Sequence, residues 1–301
     1  MVQPFDPAKR RSRSGHGVGA MLRQWGLPVL LVAPFLLFSL AFMVAPTLML
    51  VAQSVSTRTG FTLEYIVALG GETFRLATYN SIVLSVASAA VGVTCGGAIA
   101  ATVIHRDAHP ALGAIASSFS AVAANFAGVP LAFAFISSLG MFGLLTRALK
   151  VLGIDIYAAG FSLFSLTGLT IVYAYFQIPL MIIIIMPALQ ALRREWAEAA
   201  ESLGATPWQY GRLVVLPILA PSLISAFILL FGSAFSGYAT AYALTSGNLV
   251  LLTTEIGNVL SGDVMNSPQT GAALSVAMIV TMAVVVATSN LLMRRARRRG
   301  M

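Results

Sequence analysis

Charge is what this sequence has least of. Only 9% of its 301 residues are Asp, Glu, Lys or Arg, 58% are hydrophobic, and the mean hydropathy is +0.87. Soluble domains carry about 25% charged residues, so an ordinary water-soluble fold is excluded. Cysteine is nearly missing too: Cys95 stands alone, which excludes an intrachain disulfide and leaves no thiolate pair for a metal. The three histidines, His16, His105 and His109, lie outside or at the edge of the apolar runs, and no metal site is expected. The only lysines are Lys9 and Lys150, and neither closes a GxxxxGK[ST] phosphate-binding loop. The chain is therefore not an ATP hydrolase by itself, and no enzymatic activity is expected of it. No apolar run holds Asp, Glu, Lys or Arg near its centre, so the usual coupling group of an ion-driven transporter is missing. No serine pairs visibly with a buried base, as an intramembrane protease requires.

What is present is long and apolar. Charged residues cut the chain into six uncharged windows, 24–57, 76–105, 108–146, 156–192, 213–254 and 264–293. Each exceeds the ~20 residues that a helix needs to cross a bilayer. Spans are placed at 27–53, 79–104, 112–138, 166–189, 217–244 and 269–293, giving an all-α integral membrane fold of six transmembrane helices. The domain plan is a basic tail over 1–26, a transmembrane domain over 27–293 with a polar loop at 191–217, and an Arg-rich tail over 294–301. The first apolar run is too long for a signal-peptide core and is expected to be retained.

An even number of spans puts both termini on one side. That side carries 14 Lys or Arg, among them Arg193, Arg194 and Arg212, and the other side carries four, Arg58, Arg75, Arg147 and Lys150. The positive-inside rule makes both termini and the 191–217 loop cytoplasmic. The net charge of +8 clusters beside membrane-spanning ends, where topology and anionic lipid account for it, so no nucleic-acid partner is implied.

The loop, ALRREWAEAAESLGATPWQYGRLVVLP from Ala191 to Pro217, is the longest stretch of soluble character in the second half. Good helix formers fill Ala191 to about Leu203. Glu195, Glu198 and Glu201 form an acidic stripe, and Trp196, Ala199, Ala200 and Leu203 an apolar face. Gly204 stands where a helix end favours positive φ. Thr206 and Pro207 read as the N-cap and first position of a second helix. Such a helix-turn-helix beside a membrane is a docking surface.

The spacing Glu198, Ala199, Ala200, three residues, Gly204, nine residues, Val214, one residue, Leu216, Pro217 resembles the "EAA" loop of permease subunits of binding-protein-dependent ABC importers. The family pattern is Glu-Ala-Ala, Gly, then Ile-x-Leu-Pro, and Val214 in place of Ile is the only departure among these positions. The resemblance implies a type I importer permease fold, with a partner permease identical or homologous to this chain, two ATPase subunits and an extracytoplasmic solute-binding protein. It implies a bacterial inner-membrane location, and ATP and magnesium held by the partner ATPase, with no cofactor in this chain. It further implies that Glu198 meets a basic or polar group of the ATPase, Gly204 forms the bend and Pro217 starts span five. Trp196, Leu203, Trp208 and Tyr210 are added as apolar anchors of the same contact. Length and the spans around the loop resemble most the polyamine (spermidine/putrescine-type) permeases.

Inside the membrane the sequence offers neutral polar groups. Span five carries Ser222, Ser225, Ser233, Ser236, Tyr238, Thr240, Tyr242 and Thr245; hydroxyls in hydrocarbon need partners, so this face looks toward other helices or water. Ser233, Ser236, Tyr238 and Tyr242, with Tyr175 and Gln177 of span four, are candidates to line a translocation path, interhelical hydrogen bonding or aromatic packing being the other readings. Tyr173, Tyr175, Gln177 and Pro179 are expected to interrupt span four. Gly92, Gly96 and Gly97 of span two allow a close helix approach, or face lipid. Between spans three and four, Leu144, Leu145, Leu149 and Leu152 predict a short amphipathic helix at the outer interface. A gradient-driven transporter and a non-transporting scaffold are the alternative functions.

Overall fold

The computed structural model of the chain describes residues 31–57, 60–104, 110–261 and 268–298. The basic tail 1–26 and the turn containing His105 and His109 lie outside the described residues. Residues 1–53 and 54–301 form two separate units.

The first unit holds the body of α1, Leu31–Ser54, a helix long and apolar enough to cross a membrane. Pro46 does not end it. A π-turn at Leu40–Val44 precedes the proline, and the N–H of Ala45 reaches back five residues to the carbonyl of Leu40. A proline ring clashes with the carbonyl four residues before it, and the wider turn moves that carbonyl aside.

The second unit opens with a two-stranded antiparallel ribbon, β1 Ser56–Thr57 and β2 Gly60–Phe61, and a short helix α2, Glu64–Ala68. Then follow α3 Glu72–Val103, α4 Pro110–Asn125, α5 Val129–Leu139, α6 Leu144–Val151, α7 Leu166–Gln190, α8 Arg194–Ser202, α9 Pro207–Phe235, α10 Tyr238–Thr245, α11 Leu252–Ser261 and α12 Pro268–Arg298. Six candidate spans are present among the described residues, as expected, one of them comprising α5 and α6 together over Val129–Val151.

α7 is the centre of this unit. It is apolar all round, as a buried helix must be, and α3, α4 and α9 pack against it. Val172, Tyr173, Met181 and Ile185 on it are fully buried; Met181 and Ile185 share a core with Leu219, Leu230 and Phe231 of α9, and Val172 and Tyr173 belong to a second one with Leu131 of α5. The approach of α3 depends on glycine. A Cβ at Gly96 would stand 2.6 Å from the carbonyl oxygen of Ile178, and one at Gly92 only 2.5 Å from a Leu230 methyl. Both lie in a π-turn, Gly92–Gly96. The interhelical reading of these glycines therefore holds for Gly92 and Gly96, while a Cβ at Gly97 would meet only the Met181 methyl at 3.8 Å.

Four of the spans differ from the sequence expectation in a boundary or in continuity. Span two begins at Glu72 rather than Tyr79, with Gly71 as the extended N-cap and Glu72 in the first turn, where a negative charge suits the helix dipole; farther along, the Asn80 amide donates to the Val250 carbonyl at 3.0 Å, and Ser81 Oγ accepts from the Leu252 N–H at 2.9 Å. Span three is not one helix over 112–138. It breaks between Asn125 and Val129, where Gly128 takes φ +76 and Pro130 restarts the chain near the first position of α5. Span four is not interrupted, for α7 runs unbroken through Pro179 and Pro187. Span five starts at Pro207 and stops at Phe235, so its last third becomes a separate helix, α10. Pro217 accordingly lies inside a continuous helix. As at Pro46, a π-turn, Gly211–Val215, precedes it and the N–H of Leu216 reaches back to Gly211.

Candidate coupling loop and translocation path

The loop is built by local chemistry. α7 ends at Gln190, and α8 begins at Arg194 with Glu195 in its first turn, where a negative charge suits the helix dipole. α8 stops at Ser202. Gly204 adopts φ +78, which glycine reaches without a Cβ penalty, and the N–H of Ala205 closes back on the Ala200 carbonyl at 3.0 Å. Thr206 then caps α9 with a complete capping box: its Oγ1 accepts from the Gln209 N–H at 3.3 Å, and Gln209 Oε1 accepts from the Thr206 N–H at 2.7 Å. Pro207 occupies the first turn, where its missing N–H has no cost.

The result is two helices meeting at a glycine bend, with an unusual surface. Leu203 is 87% exposed and Trp208 74%, and Trp196 is exposed beside the Arg193 guanidinium, which stands 6.0 Å from its ring. Glu198 and Ala199 are exposed, Ala200 and Tyr210 half-buried. The loop thus presents Glu198 together with three large apolar side chains. Pro217 is half-buried and ten residues into α9, away from this surface in sequence.

The second group of candidates converges where helices are broken. The α4–α5 break and the α9–α10 break meet: the Gly128 N–H donates to Thr240 Oγ1 at 2.8 Å. Tyr173 of α7 donates its hydroxyl to the carbonyl of Gly237, in the second break. A Cβ at Gly237 would lie 2.8 Å from that hydroxyl, so the chain passes only as glycine. Tyr175, on the neighbouring face of α7, is 39% exposed and takes Phe126 and Phe135 edge-on, ring centroids 6.3 and 5.8 Å away. Tyr238 and Tyr242 pair at 5.2 Å on α10. Ser236 and Tyr242 are exposed, Ser233 and Tyr238 half-buried.

Gln177 is placed differently from its fellow candidates. It is fully buried, its amide donating to Ser88 Oγ at 2.9 Å, with Gly92 against its Cβ side and, among the described residues, no partner for Oε1. It joins α7 to α3, the interhelical hydrogen bonding that is the other reading of these polar groups. Thr240 also leaves the hydroxyl face, its oxygen being spent on Gly128. Sequence reasoning passed over Phe126, Gly128 and Phe135; a glycine one residue from Val129–Pro130 in an apolar run was the available sign.

Six apolar helices with a polar bend between two of them define a multi-pass membrane protein, and comparison with known proteins gives the family. The chain belongs to the binding-protein-dependent transport system inner membrane components, whose family description matches residues 20–299. The sulfate transport system permease protein CysT of Escherichia coli is 37% identical over 82 residues, 27% of this chain and 29% of that protein. The trehalose transport system permease protein SugB of Mycobacterium tuberculosis is 30% identical over 120 residues, 40% of this chain and 43% of that protein. A spermidine/putrescine transport system permease PotC homologue of Mycoplasma pneumoniae is 29% identical over 87 residues, 29% of this chain and 30% of that protein. The matches thus span less than half the length of these relatives. In fold, the chain is similar to a bacterial ABC transporter involved in alginate import, with TM-score 0.72 and 18% identity over 94% of this chain and 99% of that one.

Proposed function

We propose that this chain is a membrane-spanning permease subunit of an ATP-driven importer, coupled through the 191–217 loop to a separate ATPase that binds ATP and magnesium. The observation that carries the reading is the bend at Gly204, which holds Glu198 and Trp196 on α8, Leu203 at its end and Trp208 in the first turn of α9 exposed together. A surface of that kind costs solvation free energy unless a partner covers it. Because α7 and α9 are both packed in the core, a push on the loop reaches two spanning helices directly. A second permease copy or homologue, two ATPases and an extracytoplasmic binding protein complete the assembly, in the bacterial inner membrane with termini and loop cytoplasmic, and alternating access follows from rocking of the packed helices. Ser233, Ser236, Tyr238, Tyr242 and Tyr175, gathered at the two helix breaks, line the path. For the solute, the reading is a polyamine or a related small solute; the PotC homologue among the relatives supports it, beside relatives named for sulfate and trehalose.

The test is uptake and ATPase co-purification for wild type, Glu198→Ala and Gly204→Asp, with the neighbouring ATPase and permease co-expressed. A Cβ at Gly204 meets none of the described residues within 4 Å, and the positive φ costs a non-glycine residue about 1–2 kcal/mol, least for Asp or Asn. Gly204→Asp should therefore insert and fold, yet lose uptake and ATPase association. Unchanged uptake without a co-purifying ATPase would overturn the proposal.

A further inference from the structure

Beyond the loop and the helix breaks, α6 carries a surface that neither explains. The chain reverses sharply after α5: the Gly140 N–H donates to the Ile136 carbonyl at 3.0 Å and the Gly143 N–H to the Gly140 carbonyl at 2.8 Å. A Cβ at Gly140 would stand 2.3 Å from the Ile136 oxygen, and one at Gly143 2.4 Å from that of Ser138, so the reversal is tight and holds α6 against α5. On α6 the side chains sort by face. Leu144, Leu145, Ala148, Val151 and Leu152 follow helical spacing and all are exposed, Leu144 at 80% and Val151 at 88%. Thr146, on the opposite side, is buried, and Leu149 is half-buried. The usual order is inverted, with the apolar face outward.

We infer that α6 lies flat in the interfacial layer of the bilayer, its Leu144–Leu152 apolar face against lipid acyl chains and Arg147 at the level of the lipid phosphates. Two observations choose lipid as the occupant. Phe133 on α5 is 62% exposed and Phe142 in the turn 78%, and the stretch Val129–Val151 that holds them and α6 is apolar enough to lie in the membrane. Arg147 stands at the rim of the apolar face and is exposed, which is the arrangement that lets a guanidinium reach phosphate while its stem covers hydrocarbon. Lys150 stands farther round, away from the apolar face, and pairs with Asp155 at 3.0 Å. The inference needs only that the chain spans a membrane and is independent of the transport reading.

The experiment is site-directed spin labelling of the full chain in phosphatidylethanolamine–phosphatidylglycerol vesicles, in a Cys95→Ser background. Labels at Leu144→Cys, Val151→Cys and Leu152→Cys are compared with one at Leu203→Cys, and collision with oxygen is measured against collision with a water-soluble nickel chelate. Lipid burial predicts high oxygen and low nickel accessibility at all three α6 sites, reversed at Leu203→Cys. High nickel accessibility would mean water covers the face, and low accessibility to both reagents would mean protein covers it, whether a second permease or a binding protein. Either result overturns the inference. All three sites are exposed, so the labels do not threaten folding.

Discussion

The backbone N–H of Gly128 donates to the hydroxyl of Thr240 at 2.8 Å, joining two places where membrane helices stop and restart. At a helix break the backbone groups lose their intrahelical partners, and in a water-poor interior each must find another. Thr240 supplies one, and Tyr173 supplies another by donating to Gly237. The breaks are thus held by side chains of helices distant in sequence, which makes them specific.

Thr240→Val should therefore orphan the Gly128 N–H at constant volume. A loss of about 0.5–1.5 kcal/mol is expected for the half-buried donor left without its partner, seen as a lowered thermal midpoint in detergent. Thr240→Ser keeps the acceptor and should recover most of it. Equal midpoints for Val and wild type would show that the bond contributes nothing.

Gly96 and Gly97 differ by one residue and should differ sharply when changed. Gly96→Ala drives a methyl to within 2.6 Å of the Ile178 carbonyl and 2.8 Å of Met181 Cβ, so α3 must move off α7. Overpacking of this kind costs about 1–3 kcal/mol. Gly97→Ala meets only a flexible methyl at ordinary contact distance and should be neutral or slightly stabilising through helix propensity. Thermal midpoints of the two variants side by side decide the matter.

Thr206→Ala removes the acceptor for the Gln209 N–H and half of the capping box. About 1 kcal/mol is expected, confined to the exposed start of α9. Hydrogen exchange should accelerate over residues 207–210 while α7 and the body of α9 keep their protection. Acceleration throughout α9 would mean that the cap supports the whole span.

Asp155 gives the clearest pH response outside the spans. Its carboxylate accepts from the Ala158 N–H and pairs with Lys150, and these contacts, the backbone bond first, hold its pKa below the usual 3.8. A lowered folded-state pKa stabilises the fold above the unfolded-state value, and that contribution is lost as pH falls through the folded value. Order in the segment after α6 should hence be constant through neutral pH and decline only in strong acid. Asp155→Asn should flatten that response, measurable by exchange at residues 154–160.

Local features were legible in the sequence because short-range geometry sets them. The number of spans follows from the uncharged windows, and the bend at Gly204, the Thr206 cap and the α6 helix each depend on residues no more than a few positions apart. The family resemblance rested on the same loop. What the sequence alone did not decide is where apolar runs break. The run around Phe126–Gly128 and that around Ser236–Gly237 look continuous by hydropathy, and Pro179 looks like a break that does not occur. The outcome depends on partners far along the chain: Gly128 on Thr240 across 112 residues, Tyr173 on Gly237 across 64, and Gln177 on Ser88 across 89. Local sequence determines which backbone groups a break would free. Only the packed helices determine whether another residue stands within 3 Å to receive them, and so the tertiary structure chose the breaks, buried Gln177 and left Tyr175 open.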